Sequence, residues 1–331
     1  MPEKTLASDR PLLRPPGPTL FDAPMGSVDS LDEGVIGVVG MPTDWTHSSR
    51  IGAREGPAAL REATTEISRI VMDPLGDTVF DPNRRELLRR ADHERIVDCG
   101  DAPIDATSVE RTTEAIAAMT EAVRAQGAIP LALGGDHYNS FPACLGYARG
   151  LAARHPDRRF GYIQIDGHLD FADRLGAWGG HNHATNGRRN SELPNIERAN
   201  MVWIGITGWV DGDELAHIEG MGGKIFSSSD VHRLGAEEVA RQAVAHATRG
   251  CKSLYLSIDI DAMDAGFLPG TGSIVPSGIT SRQYCQILDV IAQEHIDGID
   301  IAEVAPSLDP SGRTERIAAQ LLFRVLRNHV L

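Results

Sequence analysis

The segment "DGHLD" closes an apolar run, "YIQI", and sets Asp166, His168 and Asp170 two residues apart each time. Alternate residues of an extended chain share a face, so the three side chains project to one side as a set of hard and borderline metal ligands. A second run, "LYLSI", leads in the same way into "DIDAMD", with Asp259 and Asp261 again two apart and Asp264 close behind. "AIPLAL" is followed by "GGDH", ending on His137, and "GIDIA" is followed by Glu303. Each stretch alone has a bland reading: "DGHLD" as a capped turn with a solvated histidine, "SIDID" as a strand end running into a turn. At three strand ends jointly, coincidence is a poor explanation.

The set contains four carboxylates (Asp166, Asp170, Asp259, Asp261) and two imidazoles (His137, His168). One divalent ion cannot use so many anionic ligands, whereas two ions bridged by carboxylates can. Sites of that kind hold their ions about 3.5 to 4 Å apart and generate a bridging hydroxide at neutral pH. Oxygen-rich, nitrogen-poor, thiolate-free ligation suits Mn²⁺, with Ni²⁺, Fe²⁺ and Co²⁺ as alternatives.

These residues need a scaffold that presents strand ends together. From Val35 onward eight apolar runs recur: "VIGVVG", "RIVDCG", "AIPLALGG", "FGYIQID", "MVWIGIT", "KIFSSSD", "LYLSIDID" and "GIDIAEV". Helix-like segments separate most of them, such as Ser108 to Gly127, with Ile116, Met119, Ala122 and Val123 at helical spacing and Ser108 at the N-cap. The expected fold is α/β, a single three-layer α/β/α domain whose parallel sheet of about eight strands gathers ligands at its carboxyl edge. Residues 1–33, with Pro11, Pro15, Pro16, Pro18 and Pro24, read as an extended arm outside the core, and 34–331 as the catalytic domain. The polar stretch Asp73 to Glu94 reads as a surface excursion.

With 331 residues, 41% of them apolar, the chain can bury a large core. No signal segment or membrane-length apolar stretch is evident, and the four cysteines lack disulfide or CxxC spacing, so the expected compartment is the reducing cytoplasm. A formal charge of -14 disfavours nucleic acid and anionic lipid and favours metals or basic small molecules.

The chain resembles the ureohydrolase (arginase/agmatinase) family, from "GMPTDWTHSSRIGAREGPAALR" (Gly40 to Arg61) to "EVAPSLDPSGRT" (Glu303 to Thr314). The resemblance implies an arginase-like fold, a guanidino substrate split into urea and an amine, two metal ions and a homo-oligomer, trimer or hexamer. Carried over by position, it makes His137 and Asp170 ligands of one ion, His168 and Asp261 ligands of the other, and Asp166 and Asp259 bridges. His183, opening "HATNGRR", matches the family's proton-shuttling histidine, with His181 the competitor. Glu303 matches the guanidinium-binding glutamate, and Asp264 a supporting aspartate behind the ligands.

The chemistry is coherent with those roles. A guanidinium carbon is a poor electrophile and requires the strong nucleophile that a doubly coordinated hydroxide supplies. A carboxylate fits the guanidinium fork in bidentate fashion, and an imidazole near its ordinary pKa suits proton delivery to the leaving amine.

Departures from the family pattern cluster around the substrate: Gly167, Ala184, Ala265 and the loop "TGSIVPSG" (Thr271 to Gly278), in which Thr271 and Ser273 are candidate substrate contacts. The arginase D-x-N segment is absent, which disfavours L-arginine, and Ala172 stands where a formimidoylglutamase carries arginine. Agmatine or a related ω-guanidino compound leads, with a nickel-dependent hydrolase of guanidine or small alkylguanidines as the alternative. A deacetylase-like amidohydrolase is disfavoured by the lack of an HH pair, and a non-catalytic subunit by the intact ligand set. Trp178 and Trp209 either narrow a pocket or pack, and His47, His93, His155 and His217 read as surface or satisfied core residues.

Overall fold

All eight apolar runs form strands of one sheet. A computed structural model of the chain describes residues 17–71, 78–82, 84–89 and 95–330. Its strands are β1 (Ile36–Gly40), β2 (Thr78–Asp81), β3 (Glu86–Arg89), β4 (Ile96–Asp101), β5 (Ile129–Leu133), β6 (Phe160–Ile165), β7 (Ile196–Ile206), β8 (Lys224–Ser227), β9 (Ser253–Asp259) and β10 (Gly298–Ala302). The helices are α1 (Gly56–Val71), α2 (Val109–Ala125), α3 (Ser140–Arg154), α4 (Asn186–Ser191), α5 (Gly212–Gly220), α6 (Ser228–Leu234), α7 (Ala236–Ala247), α8 (Ser281–Ile291) and α9 (Arg313–Val330).

The main sheet runs β4-β1-β5-β10-β9-β6-β7-β8, and its pairings are parallel. Strands β1, β5, β6, β9 and β10 are buried along their whole length, as a sheet covered on both faces requires. Alternation divides the side chains between the layers. Ile163, Leu256, Ile258, Ile299 and Ile301 join residues of α1, α7, α8 and α9 in one core, while Tyr162, Tyr255 and Trp203 pack with Tyr147 and Leu151 of α3 in another. Ile116, Met119 and Val123 of α2 cover β1 and β5 on that second face. Ser108 caps α2, accepting from the Arg111 N–H at 3.2 Å.

Strand order matters more than strand count for function. β10, last in the chain, inserts between β5 and β9, with Ile301 opposite Leu133 and Ala302 opposite Asp259. β6 lies on the other side of β9, with Ile165 opposite Ile258. The segments leaving β5, β6, β9 and β10 therefore emerge side by side at one edge.

One expectation changes, and the surface excursion at 73–94 gains a small pair of strands. Residues 17–33 do not stand apart as an extended arm: Leu20, Phe21, Ala23, Val28 and Leu31 are buried. The Leu20 N–H donates to Asp98 Oδ2 (3.0 Å) and the Phe21 N–H to Thr64 Oγ1 (2.9 Å), so the segment docks across α1 and β4. Its prolines mark an irregular path, and its large apolar residues decide where that path goes. Pro11, Pro15 and Pro16 lie outside the described residues, as does His93. Within the stretch 73–94, β2 and β3 form a small antiparallel pair, with Phe80 opposite Leu87. Both of those side chains are exposed.

Phe21 is fully buried, so Phe21→Ala should cost about 3–5 kcal/mol, the scale for emptying a core aromatic site. Met25→Ala, at a position 42% exposed, should stay within about 0.5 kcal/mol. Denaturant midpoints measure both, and equal midpoints would return this segment to the status of an arm.

Candidate active site

The alternation that buries Tyr162, Gln164, Tyr255 and Ser257 on the α3 face continues past the strand ends into Asp166 and Asp259. His137 arrives from the turn after β5, where Gly135 approaches the Thr43 carbonyl too closely for any side chain. Its Nδ1 lies 2.8 Å from Asp170 Oδ2, 3.0 Å from Asp259 Oδ2 and 3.1 Å from Asp166 Oδ2. His168 Nδ1 lies 3.0 Å from Asp261 Oδ2 and 3.7 Å from Asp166 Oδ1. All six residues with ligand chemistry thus meet, in two groups that share Asp166.

These groups fit divalent ions. Donors bonded to one ion at about 2.1 Å sit about 3 Å apart along an octahedral edge, the spacing seen around His137 Nδ1. That nitrogen is buried without a hydrogen-bond partner. On its far side, His137 Nε2 lies 3.1 Å from Ser257 Oγ, which donates to Asp300 Oδ1 at 2.9 Å; Ser140 Oγ donates to the same oxygen at 2.6 Å. Asp300 accepts, so the chain Nε2–H to Ser257 to Asp300 leaves the Nδ1 lone pair free toward the carboxylates.

Charge makes the same case. Burial, then Asp261, pushes Asp259 well above the usual carboxylate range, and burial with Asp166 pushes Asp170 up to about 6. Burial, then Asp259 and Asp136, raises Glu303 likewise. His168 is raised chiefly by Asp261, while His137 is held well above its ordinary value, against burial, by Asp259 and Asp166. The cluster is short of positive charge, which divalent cations would supply.

Two of the six non-glycine residues with positive φ among the described residues lie here. Asp170 and Glu303 adopt φ of 47° and 64°, a left-handed conformation that costs non-glycine residues about 1–3 kcal/mol. Glu303 is fixed by its own N–H donating to the Gly135 carbonyl (2.9 Å), and its Oε1 accepts the His137 N–H (2.9 Å). Asn186, with its amide turned to satisfy its partners, donates to Asp170 Oδ2 (3.0 Å) and to the His183 carbonyl (2.9 Å), tying the His183 loop to the ligands.

A cavity of about 190 Å³ opens onto this cluster, walled by His137, His168, Asp170, Asp259 and Asp261 together with His183, Glu303, Ser273, Trp209, Asp211 and Glu214. Among the described residues neither lysine nor arginine lines it. Burial, then Asp170 and Asp211, pushes Glu214 up to about 7.

Of the remaining sequence candidates, Thr271 is buried off the cavity wall and its carbonyl accepts from Arg50. Asp264 braces a loop by accepting the N–H groups of Gly266 (2.9 Å) and Ser277 (2.8 Å), rather than supporting a ligand. His181 packs on Tyr138 and Phe141, away from the cavity, so His183 alone of the two faces it. Trp209 lines the mouth, whereas Trp178 does not.

Sequence reasoning missed His47, which lines the cavity and stacks on His183 with ring centroids 4.2 Å apart. Burial, then the neighbouring His47, pushes His183 down to about 3, so it is not an imidazole near its ordinary pKa. Ser257 and Asp300 were missed too, although Ser257 shares the face of Asp259 and so carried a signal.

A sequence model of the arginase family matches residues 35–327. Guanidinopropionase of Pseudomonas aeruginosa is 29% identical over 292 residues, covering 88% of this chain and 85% of that protein. Agmatinase of Chromobacterium violaceum is 30% identical over 300 residues, covering 89% and 84%. The structure of a hypothetical agmatinase from Burkholderia thailandensis superposes with a TM-score of 0.77 at 27% identity, covering 95% of this chain and 90% of that one. With its sheet order, its clustered ligands and a match over nearly its whole length, the chain belongs to the arginase family.

Proposed function

We propose that the protein hydrolyses the C–N bond of a small guanidino compound to give urea and an amine. The observation that carries this reading is the convergence of six metal-type side chains in one cluster, five of which line one cavity with Glu303. His137, Asp170 and Asp259 would hold one divalent ion and His168 and Asp261 a second, with Asp166 common to both groups. When bound, the ions supply Lewis acidity and activate water at neutral pH. The oxygen-rich donor set favours Mn²⁺ over Ni²⁺.

Glu303 receives the guanidinium through paired charge-assisted hydrogen bonds, and the incoming cation offsets the repulsion that raises its pKa. His183, neutral in its buried stack and 2.7 Å from Ser48 Oγ, relays a proton toward the departing amine. Asp211, Glu214 and the lack of lysine or arginine on the wall among the described residues favour a cationic or neutral tail, as in agmatine, over a guanidino acid. The modest volume, about 190 Å³, supports guanidine or a small alkylguanidine as the second reading. Four unpaired cysteines support residence in the cytoplasm. The exposed pair Phe80 and Leu87, at 55% and 67%, supports burial of that surface in a homo-oligomer, trimer or hexamer, which light scattering tests.

Urea release with Mn²⁺ or Ni²⁺ across agmatine, 4-guanidinobutyrate, 3-guanidinopropionate, L-arginine, guanidine and dimethylguanidine tests the reading. Agmatine should lead, Asp259→Asn should abolish the activity, and Glu303→Gln should lower kcat/KM by about 10²- to 10³-fold. No urea from any compound by the metal-loaded protein would contradict the proposal.

Metal removal should make stability depend on pH with a definite sign. Asp170, raised to about 6 from 3.8, contributes stability below its ordinary pKa that is lost as pH rises through the folded value, and Asp259 acts likewise. His137 and His168, raised above 6.5, also lose their contribution on the alkaline side. Asp166, which is lowered, acts oppositely, below its ordinary 3.8, and His47 and His183, lowered to about 4 and about 3, oppose the trend up to pH 6.5. The raised carboxyls of Glu303, Asp136 and Glu214, added to Asp170 and Asp259, outnumber them. The Tm of metal-free protein should therefore fall between about pH 4 and 7 and recover on adding Mn²⁺; a metal-free Tm that rises over that range would refute this electrostatic account.

A further inference from the structure

We infer that His47 is a positioning residue that aims Glu303 at the guanidinium group, an inference that rests on the function proposed above. His47 is 5% exposed and its ring is held on three sides. It stacks on His183 with planes inclined by 18°, and the backbone of Gly272 lies so close that a side chain there would strike the ring. The Ser49 N–H donates to its Nδ1 at 3.0 Å.

That last contact decides the chemistry. With Nδ1 accepting, the proton of the neutral ring sits on Nε2. Nε2 lies 3.4 Å from Glu303 Oε2, and both atoms are buried with no hydrogen-bond partner among the described residues. The N–H is not aligned on the carboxylate as a formed hydrogen bond requires, and contacts of this kind align and tighten when substrate binds. Glu303 then stands between two donors, the His137 N–H on Oε1 and His47 on Oε2, with a lone pair of each oxygen left for the substrate fork.

His47, His183 and Glu303 also have donor atoms within 4.8 Å of one another, the spacing of a metal triad. Binding a metal would require the Nε2 proton to move to Nδ1, against the Ser49 N–H. The donor role satisfies both nitrogens and the metal role only one.

The loop that carries His47 is built to hold this aim. Asp136 accepts from the Thr46 N–H (3.0 Å) and hydroxyl (2.7 Å), and Arg50 donates to the carbonyls of Thr271 (2.7 Å) and Gly272 (3.2 Å). His47 is thereby registered against the strand ends on both sides of Glu303.

Two variants separate donor from filler: His47→Phe keeps a ring for the stack and removes the donor, and His47→Gln restores an N–H. Metal-loaded wild type and variants of equal metal content are compared by steady-state kinetics and by calorimetric titration with guanidinium ion. His47→Phe should raise KM and weaken guanidinium binding about tenfold, the scale of one hydrogen bond to a charged group, with kcat nearly unchanged; His47→Gln should restore most of both. Unaltered KM and guanidinium affinity in His47→Phe would overturn the inference, as would a Gln variant no better than Phe. If wild type releases no urea, the proposed function fails, and titration decides this point alone: weaker binding by His47→Phe upholds the aim of His47, while no binding by wild type overturns it.

Discussion

Burying carboxylates together is the constraint around which this molecule is arranged. Asp166, Asp259, Asp261 and Glu303 are each no more than 2% exposed, and among the described residues no lysine or arginine lines the cavity beside them. A single buried, unpaired carboxylate costs several kcal/mol, so this cluster is tolerable only with compensating positive charge. Elsewhere in the fold two buried acids have such partners: Arg61 binds Asp98 through two hydrogen bonds of 2.8 and 2.9 Å, and Arg124 reaches Asp297 at 3.0 Å. At the carboxyl edge of the sheet two imidazoles face the carboxylates instead, and divalent cations are the remaining source of compensation.

Much of the architecture serves that cluster. The insertion of β10 between β5 and β9 brings Glu303 beside His137 and Asp259, although these residues are far apart in the chain. Ser257, Ser140 and Asp300 orient His137 from below. The left-handed backbone at Asp170 and Glu303 is the strain accepted to turn two acidic side chains inward as their segments leave the sheet.

The sheet and the six ligands were legible because both rest on short-range regularities. Apolar runs bounded by turns mark buried strands, and the acids and imidazoles meet because they follow neighbouring strand ends at one sheet edge. The extended period of two does not continue there, since Asp166, His168 and Asp170 lie past β6, Asp261 sits in a 3-10 turn after β9 and Asp170 turns through φ 47°. His47 was not legible in those terms. Its place depends on contacts from Thr46 to Asp136 and from Arg50 to Thr271, between segments brought together only by the fold. The misreading of residues 17–33 has a different cause: proline content was weighed above Leu20 and Phe21, two large apolar residues whose burial the docked segment achieves. Roles assigned to Thr271 and Asp264 failed because a loop's local sequence does not say which way its side chains turn. The hydrogen bonds of that loop, from Arg50 inward and from Asp264 along its own backbone, decide it.

The account turns on one shared site for two ions, and counting ions tests it most directly. Equilibrium dialysis of the purified chain against Mn²⁺ at neutral pH, followed by elemental analysis, should give two ions per chain for wild type. His168→Ala should retain one, and Asp166→Ala, which removes the ligand common to both groups, should retain neither at full affinity. One ion or none in wild type, or two in Asp166→Ala, would contradict it.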